Sequence, residues 1–355
     1  MHHPRTAIAG AGLAGLVAAI RLAQSDWPAE LFDAAPDSGW ERRGAWDAIE
    51  NWSTAWDFPA QLDHWNISRA FECRPVHYFE VFDPRGECHP VTSSRPIFYL
   101  VKRGCQPGAL EHSLKQQALA SGVTFHYNQR KTPQEVDVWA VGAQHRGQFL
   151  GAGLRFRTSH PDTVRLLIST GHAPRAYAYL FIVDGTGTLS VTLTRDFANA
   201  RVYLQRSLEF FRQISPLDMQ DVRLTAGFGG RRSKFRQKAS VPLCVGEAAG
   251  LQDYLWGFGI RYALHSGFLA AQAIANGADY DQQMRRQIFP QVYASQLKRA
   301  FYNRTGDRGY RWLIGVFSKS PRLLDLLGGR YRPSILAPLH FLFLRVRQGS
   351  FLKGA

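Results

Sequence analysis

The run Gly10-Ala11-Gly12-Leu13-Ala14-Gly15 limits the folds open to this chain more than any other feature. It follows Thr6 to Gly10, which reads as a short buried strand, and leads into the Ala-rich stretch Leu16 to Gln24, which reads as a helix. Each glycine has a mechanical reason. Gly10 permits a tight turn, Gly12 lets a pyrophosphate approach the backbone, and Gly15 lets the helix pack against the strand. Leu13 and Ala14 lie where the helix opens, with unpaired N–H groups and the positive dipole end turned to the same space. A second predicted strand, Ala29 to Asp33, ends in an acid 18 positions beyond Gly15, where a carboxylate accepts hydrogen bonds from ribose hydroxyls. Strand, turn, helix, strand and acid together predict a Rossmann-type βαβ unit that binds a dinucleotide.

A Trp-rich irregular stretch follows from Trp40 to Ile67, and then Arg74 to Phe82 and Glu87 to Ser93 alternate like a hairpin around Asp83-Pro84-Arg85-Gly86. Pro107 to Ser121 reads as a helix, and Thr124 to Tyr127 and Val136 to Gly142 as strands. The stretches Leu154 to Arg157, Val164 to Thr170, Ala176 to Val183 and Thr188 to Thr194 read as a β-rich insert, followed by a helix from Tyr203 to Ile214. A last buried strand, Ser240 to Gly246, leads through a Gly-rich loop to the helix Gly259 to Asn276. The expected fold is α/β: a Rossmann-type dinucleotide-binding domain with a parallel sheet, an inserted β-rich substrate domain and a C-terminal helical segment. The expected domains are residues 1–75, 101–150 and 220–280 for the cofactor, 76–100 and 151–219 for the substrate, and 281–355 as a basic, apolar C-terminal region.

Three pieces resemble the flavoprotein superfamily that includes aromatic-ring hydroxylases and geranylgeranyl reductases. Val101-Lys102-Arg103-Gly104 with Pro107-Gly108-Ala109-Leu110 resembles that family's arginine segment, which implies that Arg103 lies near FAD phosphate or ribityl. Val138-Trp139-Ala140-Val141-Gly142 is similar to the family's strand under the adenosine. Most specific is Val245-Gly246-Glu247-Ala248-Ala249-Gly250, continuing to Gly257-Phe258-Gly259-Ile260 and Ala263-Leu264-His265-Ser266-Gly267. The resemblance spans roughly residues 5 to 275 and implies FAD, with NAD(P)H open as electron donor. On physical grounds an acid after Gly246 binds ribityl hydroxyls, and glycines 257 and 259 at a helix start bring backbone N–H groups toward flavin O2. Glu247 departs from the family's usual aspartate.

Ala176-Tyr177-Ala178-Tyr179-Leu180-Phe181, followed by Asp184-Gly185-Thr186-Gly187, looks like the aromatic strand of geranylgeranyl reductases and, more distantly, of flavin halogenases. Tyr177 and Tyr179 alternate onto one strand face. They are candidate catalytic residues together with Trp256, and equally candidate core aromatics. The chain has Arg42-Arg43-Gly44-Ala45 where geranylgeranyl reductases carry a cysteine-glycine signature. Three functions stay open: a monooxygenase or dehydrogenase acting on an aromatic or apolar small molecule, a geranylgeranyl reductase-like C=C reductase of isoprenoid lipid, and a non-redox or protein-acting flavoprotein. No Ser/His/Asp or Cys/His nucleophile spacing stands out, as suits chemistry carried by a cofactor.

The formal charge of +15 is uneven, since Met284 to Ala355 holds fourteen Lys/Arg against two Asp/Glu. The same region carries Trp312, Leu313, Ile314, Val316 and Phe317, so its apolar faces fringed by cations suit either a cap packed on the core or peripheral contact with an anionic membrane surface. Pro333 to Leu344 is too short to span a bilayer. No secretory signal is visible, the four cysteines are read as reduced thiols, and the expected location is cytoplasmic, with membrane association open. Cys73, His77, Cys88 and His89 match no closed tetrahedral spacing, so no metal is expected. No nucleic-acid module is recognisable, and no nucleic acid is expected as a partner.

Overall fold

The computed structural model describes residues 4–143, 147–230, 242–320 and 323–329. Its organising layer is a parallel sheet in the order Leu243–Cys244, Val138–Trp139, Thr6–Ala9, Ala29–Phe32, Thr124–His126. The helix Leu13–Ala23 is wrapped by this sheet and by the helices Leu110–Ala120 and Ile260–Asn276, so it is apolar on every face up to Arg21 in its last turn. Leu16, Val17, Ile20 and Leu22 have no exposed surface, and each contributes about 1.5–3 kcal/mol of burial free energy. The long helix comes close because Gly267 has no Cβ, which would lie 2.2 Å from the Ala14 carbonyl oxygen. The expected strand Ser240 to Gly246 is described only from residue 242 and pairs at Leu243–Cys244; residues 240 and 241 lie outside the described residues.

A second, larger sheet runs in the order Gln220–Gly229, Phe149–Arg157, Thr186–Leu193, Tyr177–Val183, Thr163–Leu167, Tyr78–Phe82, Cys88–Thr92. It corrects two expected boundaries. The strand expected from Leu154 starts at Phe149, with Gly153 inside it as a close-approach position, where a Cβ would meet the Leu189 carbonyl at 2.7 Å. Gln220–Gly229 belongs to this sheet and not to the cofactor domain, pairing with Phe149–Arg157 from Phe149↔Gly229 onward. That pairing links segments some seventy positions apart, and neither segment alternates clearly enough to announce it.

The expected strand Arg74 to Phe82 is two strands. Cys73–Val76 pairs with Phe98–Arg103 in a three-stranded sheet completed by Ala45–Glu50, while Tyr78–Phe82 turns into the large sheet and pairs with Cys88–Thr92. Pro75 fits the first because that strand is an edge, where a missing N–H costs no ladder bond.

The C-terminal helices Tyr280–Gln287, Phe289–Ser318 and Leu323–Gly329 close the molecule. The long one is kinked at Gly306, whose φ of 62° only glycine adopts readily. Its inward face buries Tyr302, Tyr310 and Ile314 against Trp52, Phe98 and Phe181. Among the described residues no helix is long and apolar enough to cross a membrane.

Candidate functional site: a nucleotide cradle continuous with an apolar chamber

The site begins at the glycine turn. Gly10 has a φ of 101°, and a Cβ there would lie 2.4 Å from the Ala140 carbonyl oxygen; one on Gly15 would lie 2.0 Å from the Gly10 carbonyl oxygen. Both are glycine because the protein itself fills the space. Gly12 differs: its backbone is ordinary extended chain, φ −82°, and a Cβ would meet nothing within 4 Å. Its hydrogen faces the open cavity, so the protein's own packing does not require a glycine here. That open ground at a helix N-terminus is the shape and polarity a pyrophosphate fits. Asp33 is fixed beside it, accepting from the Ala11 N–H at 2.7 Å and the Ala35 N–H at 2.8 Å, with lone pairs left for ribose hydroxyls.

From this cradle a cavity of about 1420 Å³ runs along Glu247 and Gly257-Phe258-Gly259-Ile260 to the large sheet. The turn at Gly246 is tied to the long helix, since the Gly246 N–H donates to Ser266 Oγ at 2.8 Å. Burial pushes the Glu247 carboxyl above its usual range, against the pull of Arg42 and Arg103. The expectation for the second glycine pair needs correcting in part. The Gly257 N–H is already spent on the Asp253 carbonyl at 2.7 Å, so the N-terminal N–H groups of the helix starting at Ile260 are the ones aimed at a ligand. Arg103 does line the cavity, but its guanidinium is clamped by protein: Nε and Nη2 donate to Glu111 and Nη1 donates to Asp47 at 2.7 Å.

The cavity floor is the large sheet, and alternate side chains grade it from polar to apolar. Thr188, Ser190 and Thr192 lie on one strand, Tyr177, Tyr179 and Phe181 on the next, then Leu166 and, just beyond its strand, Ile168, and finally Phe79 and Val81. Tyr177, Tyr179 and Trp256 therefore do come together. Tyr177 stacks edge-on to Trp256 at 6.0 Å and donates its hydroxyl to the Trp256 carbonyl, which makes it a positioning residue for the Asp253–Gly257 loop. Burial, with Asp47 nearby, pushes Tyr179 up to about 12, so it stays a neutral phenol.

The same loop is held from behind by Arg299, whose Nε donates to the Tyr254 carbonyl at 2.7 Å, while Nη1 and Nη2 donate to the carbonyls of Arg175 and Leu255. Sequence reasoning missed this clamp, because an arginine in a basic C-terminal helix reads as surface charge. It also missed Arg155, which lines the cavity and donates Nη1 to the Arg43 carbonyl at 2.8 Å, and the chamber wall made by Trp52, Phe98, Ile314, Phe317, Leu323 and Leu327. Trp52 and Thr188 line the space, while Trp52 Nε1 and Thr188 Oγ1 are themselves buried and make no hydrogen bond within the described residues. Of the set Cys73, His77, Cys88 and His89, Cys73 is in the small sheet and Cys88 and His89 are in the large one. Asp83, Glu87 and His89 do converge, and Arg311 occupies them, pairing with Asp83 at 2.9 Å and Glu87 at 3.7 Å.

Cradle, parallel sheet and inserted large sheet make a fold that solved flavoprotein structures share. Among solved structures the chain is similar to a geranylgeranyl bacteriochlorophyll reductase-like protein from Thermoplasma acidophilum, with a TM-score of 0.71 and 16% identity over 96% of this chain and 100% of that one. A flavoprotein/dehydrogenase from Cytophaga hutchinsonii matches with a TM-score of 0.64 and 12% identity, covering 92% of each chain. A p-nitrophenol 4-monooxygenase from Pseudomonas putida matches at 0.58 and 13%, covering 93% of this chain and 96% of that one. No family model matches the chain, and no curated protein matches it by sequence. At these identities the likeness is one of fold.

Proposed function

We propose that the chain is an FAD-dependent oxidoreductase acting on an apolar small molecule. The observation that carries this is the continuity of one cavity, from the glycine cradle past the start of the Ile260 helix into a chamber walled by aromatic and aliphatic side chains. Gly12, Asp33, Glu247 and the N-terminus of the Ile260–Asn276 helix are the groups that would hold FAD. When bound, FAD supplies the electron or hydride transfer. The chain's residues bind, orient and keep water away: the helix N-terminus stabilises negative charge near its N–H groups, and Tyr177 and Arg299 fix the loop beside it.

Two reactions suit this arrangement. Oxidation or hydroxylation of an aromatic or apolar molecule suits the Tyr177, Tyr179 and Phe181 strip. Reduction of an isoprenoid-like C=C bond suits the aliphatic far end, where Ile314, Leu323 and Leu327 close the chamber. Purified protein should be yellow and release FAD on denaturation. Stopped-flow reduction separates the reactions: rapid NAD(P)H consumption coupled to oxygen supports the first, and slow reduction of the flavin with turnover of a prenyl lipid supports the second. A colourless protein that takes up no FAD on reconstitution overturns the proposal, and a flavin that no donor reduces supports a non-redox role.

A further inference from the structure

The second half of the kinked C-terminal helix has two unlike faces. Inward, Ile314 and Phe317 line the apolar chamber and Tyr310 is buried. Outward, Arg308, Trp312, Val316 and Lys319 follow one another at spacings of four, four and three, so they form one stripe about 16 Å long. All four are exposed, Trp312 to 66% and Val316 to 40%. A tryptophan left that open costs solvation free energy, unlike the Trp46, Trp52 and Trp65 side chains, which the same fold buries.

The charge on this stripe has one sign. From Arg308 to Ser320 the sequence contains no acid. The nearest one, Asp307, is turned away and accepts from the Thr170 N–H at 2.9 Å and hydroxyl at 2.6 Å. Arg311 points inward to Asp83, which leaves Arg308 and Lys319 at the two ends of the stripe with the apolar pair between them. An aromatic and an aliphatic side chain bracketed by cations match the polarity profile of an anionic lipid surface, with the rings at headgroup depth and the ammonium and guanidinium groups among the phosphates.

We propose that this face docks the protein on an anionic membrane surface, and that the helix it lies on is the wall across which an apolar substrate passes between bilayer and chamber. The proposal rests on reading the cavity as an apolar substrate chamber. It goes beyond that reading in naming the surface and the partner's chemistry. A second copy of this chain or an acidic protein would fit the cations, but the exposed Trp312–Val316 pair between them favours a lipid surface.

The test uses FAD-reconstituted full-length protein and sedimentation with vesicles of equimolar phosphatidylglycerol and phosphatidylcholine. Wild type should pellet with them at low salt, bind pure phosphatidylcholine far less, and lose binding as salt rises. Arg308→Ala with Lys319→Ala should weaken binding roughly 30-fold, and Trp312→Ala should weaken it about tenfold or more. Because these side chains are exposed, each variant should keep the wild-type flavin spectrum and melting temperature. Vesicles of brominated phosphatidylcholine with phosphatidylglycerol should quench a tryptophan signal that is present in wild type and absent from Trp312→Phe. Unchanged binding by both variants, or no quenching difference, overturns the proposal by assigning membrane contact elsewhere. So does loss of self-association in Trp312→Ala, seen by sedimentation velocity without vesicles. Flavin content is read separately by absorbance, so failure of the flavoprotein reading is not confused with failure of docking.

Discussion

Replacing Gly12 separates the cradle's fit to a ligand from its part in folding. The backbone there is extended, with φ −82° and ψ −175°, so any L-residue adopts it without strain, and an added Cβ meets nothing within 4 Å. In Gly12→Ala the unfolded chain loses freedom, which stabilises by about 0.4–1 kcal/mol. Against this, alanine is a poorer helix N-cap than glycine by an amount of similar size. The net change in stability should stay within about 1 kcal/mol, a shift of a few degrees in melting temperature at most. Ligand binding should suffer far more, because the new methyl, and still more the Gly12→Val isopropyl, takes the ground of the pyrophosphate. We expect FAD affinity to fall at least 100-fold, about 3 kcal/mol, read by flavin fluorescence titration of the apoprotein beside a circular-dichroism melt. Gly15→Ala is the contrasting control. Its Cβ would sit 2.0 Å from the Gly10 carbonyl oxygen, so helix and strand must move apart, and the variant should lose several kcal/mol of stability or fail to fold. Stoichiometric FAD at wild-type affinity in Gly12→Val would refute the assignment of this space to a dinucleotide. Unfolding of that variant would refute the geometry itself.

Three further outcomes follow from buried charge. Glu50 is fully buried, and burial, opposed by Arg261, raises its carboxyl to about 7 from 4.5; the folded protein then holds this proton more tightly than the unfolded chain, so its contribution to stability is lost as pH rises from about 4.5 through about 7. Glu50→Gln should flatten that segment of the stability-against-pH curve and stabilise the protein above neutrality, by on the order of 3 kcal/mol, in urea denaturation at a series of pH values. Arg103→Ala leaves Glu111, 2% exposed, without its cation, and should cost about 3–5 kcal/mol by the same assay, with Arg103→Ala plus Glu111→Leu recovering part of the loss. Arg299→Ala orphans three carbonyls at about 1–3 kcal/mol each; Arg299→Lys should recover some stability yet leave the Asp253–Gly257 loop loose, read as a slower, weaker FAD uptake than wild type.

What the sequence disclosed about the site was what depends on neighbours in the chain. Gly10 to Gly15 and Asp33 announce themselves because strand, turn and helix lie within thirty residues and the turn geometry dictates glycine. Gly246, Gly259, Ser266 and Gly267 were visible for a similar reason: a strand end, a helix start and a close helix crossing fall within one short block. The chamber was not visible, because its wall takes Trp52 from one loop, Phe98 from another sheet, Phe181 from the insert and Ile314 from the last helices. Each is an ordinary core residue in its own segment, and only tertiary pairing puts them around one space. Gln220–Gly229 was misassigned for the same reason, its partner strand lying far back in the chain.

Net charge misleads in a related way. The sequence count of +15 invites a reading in which every arginine meets solvent or an anionic partner. In the fold, Arg103 is neutralised by Glu111 and Asp47, Arg261 is buried on Gln61 Oε1 and the carbonyls of Glu50 and Trp56, and Arg299 on three more carbonyls. Arg311 and Arg165 are spent on Asp83 and Glu80. These five hold loops and strands in place and offer little field to a partner. The argument for an anionic surface therefore cannot rest on the total; it rests on Arg308 and Lys319, whose side chains are exposed, and on the open Trp312 between them. For that reason the pair Arg308→Ala and Lys319→Ala should change vesicle binding more than Arg165→Ala combined with Arg311→Ala, although both pairs remove two positive charges. Equal losses from the two pairs would mean that overall charge governs binding and that the stripe has no special part in it.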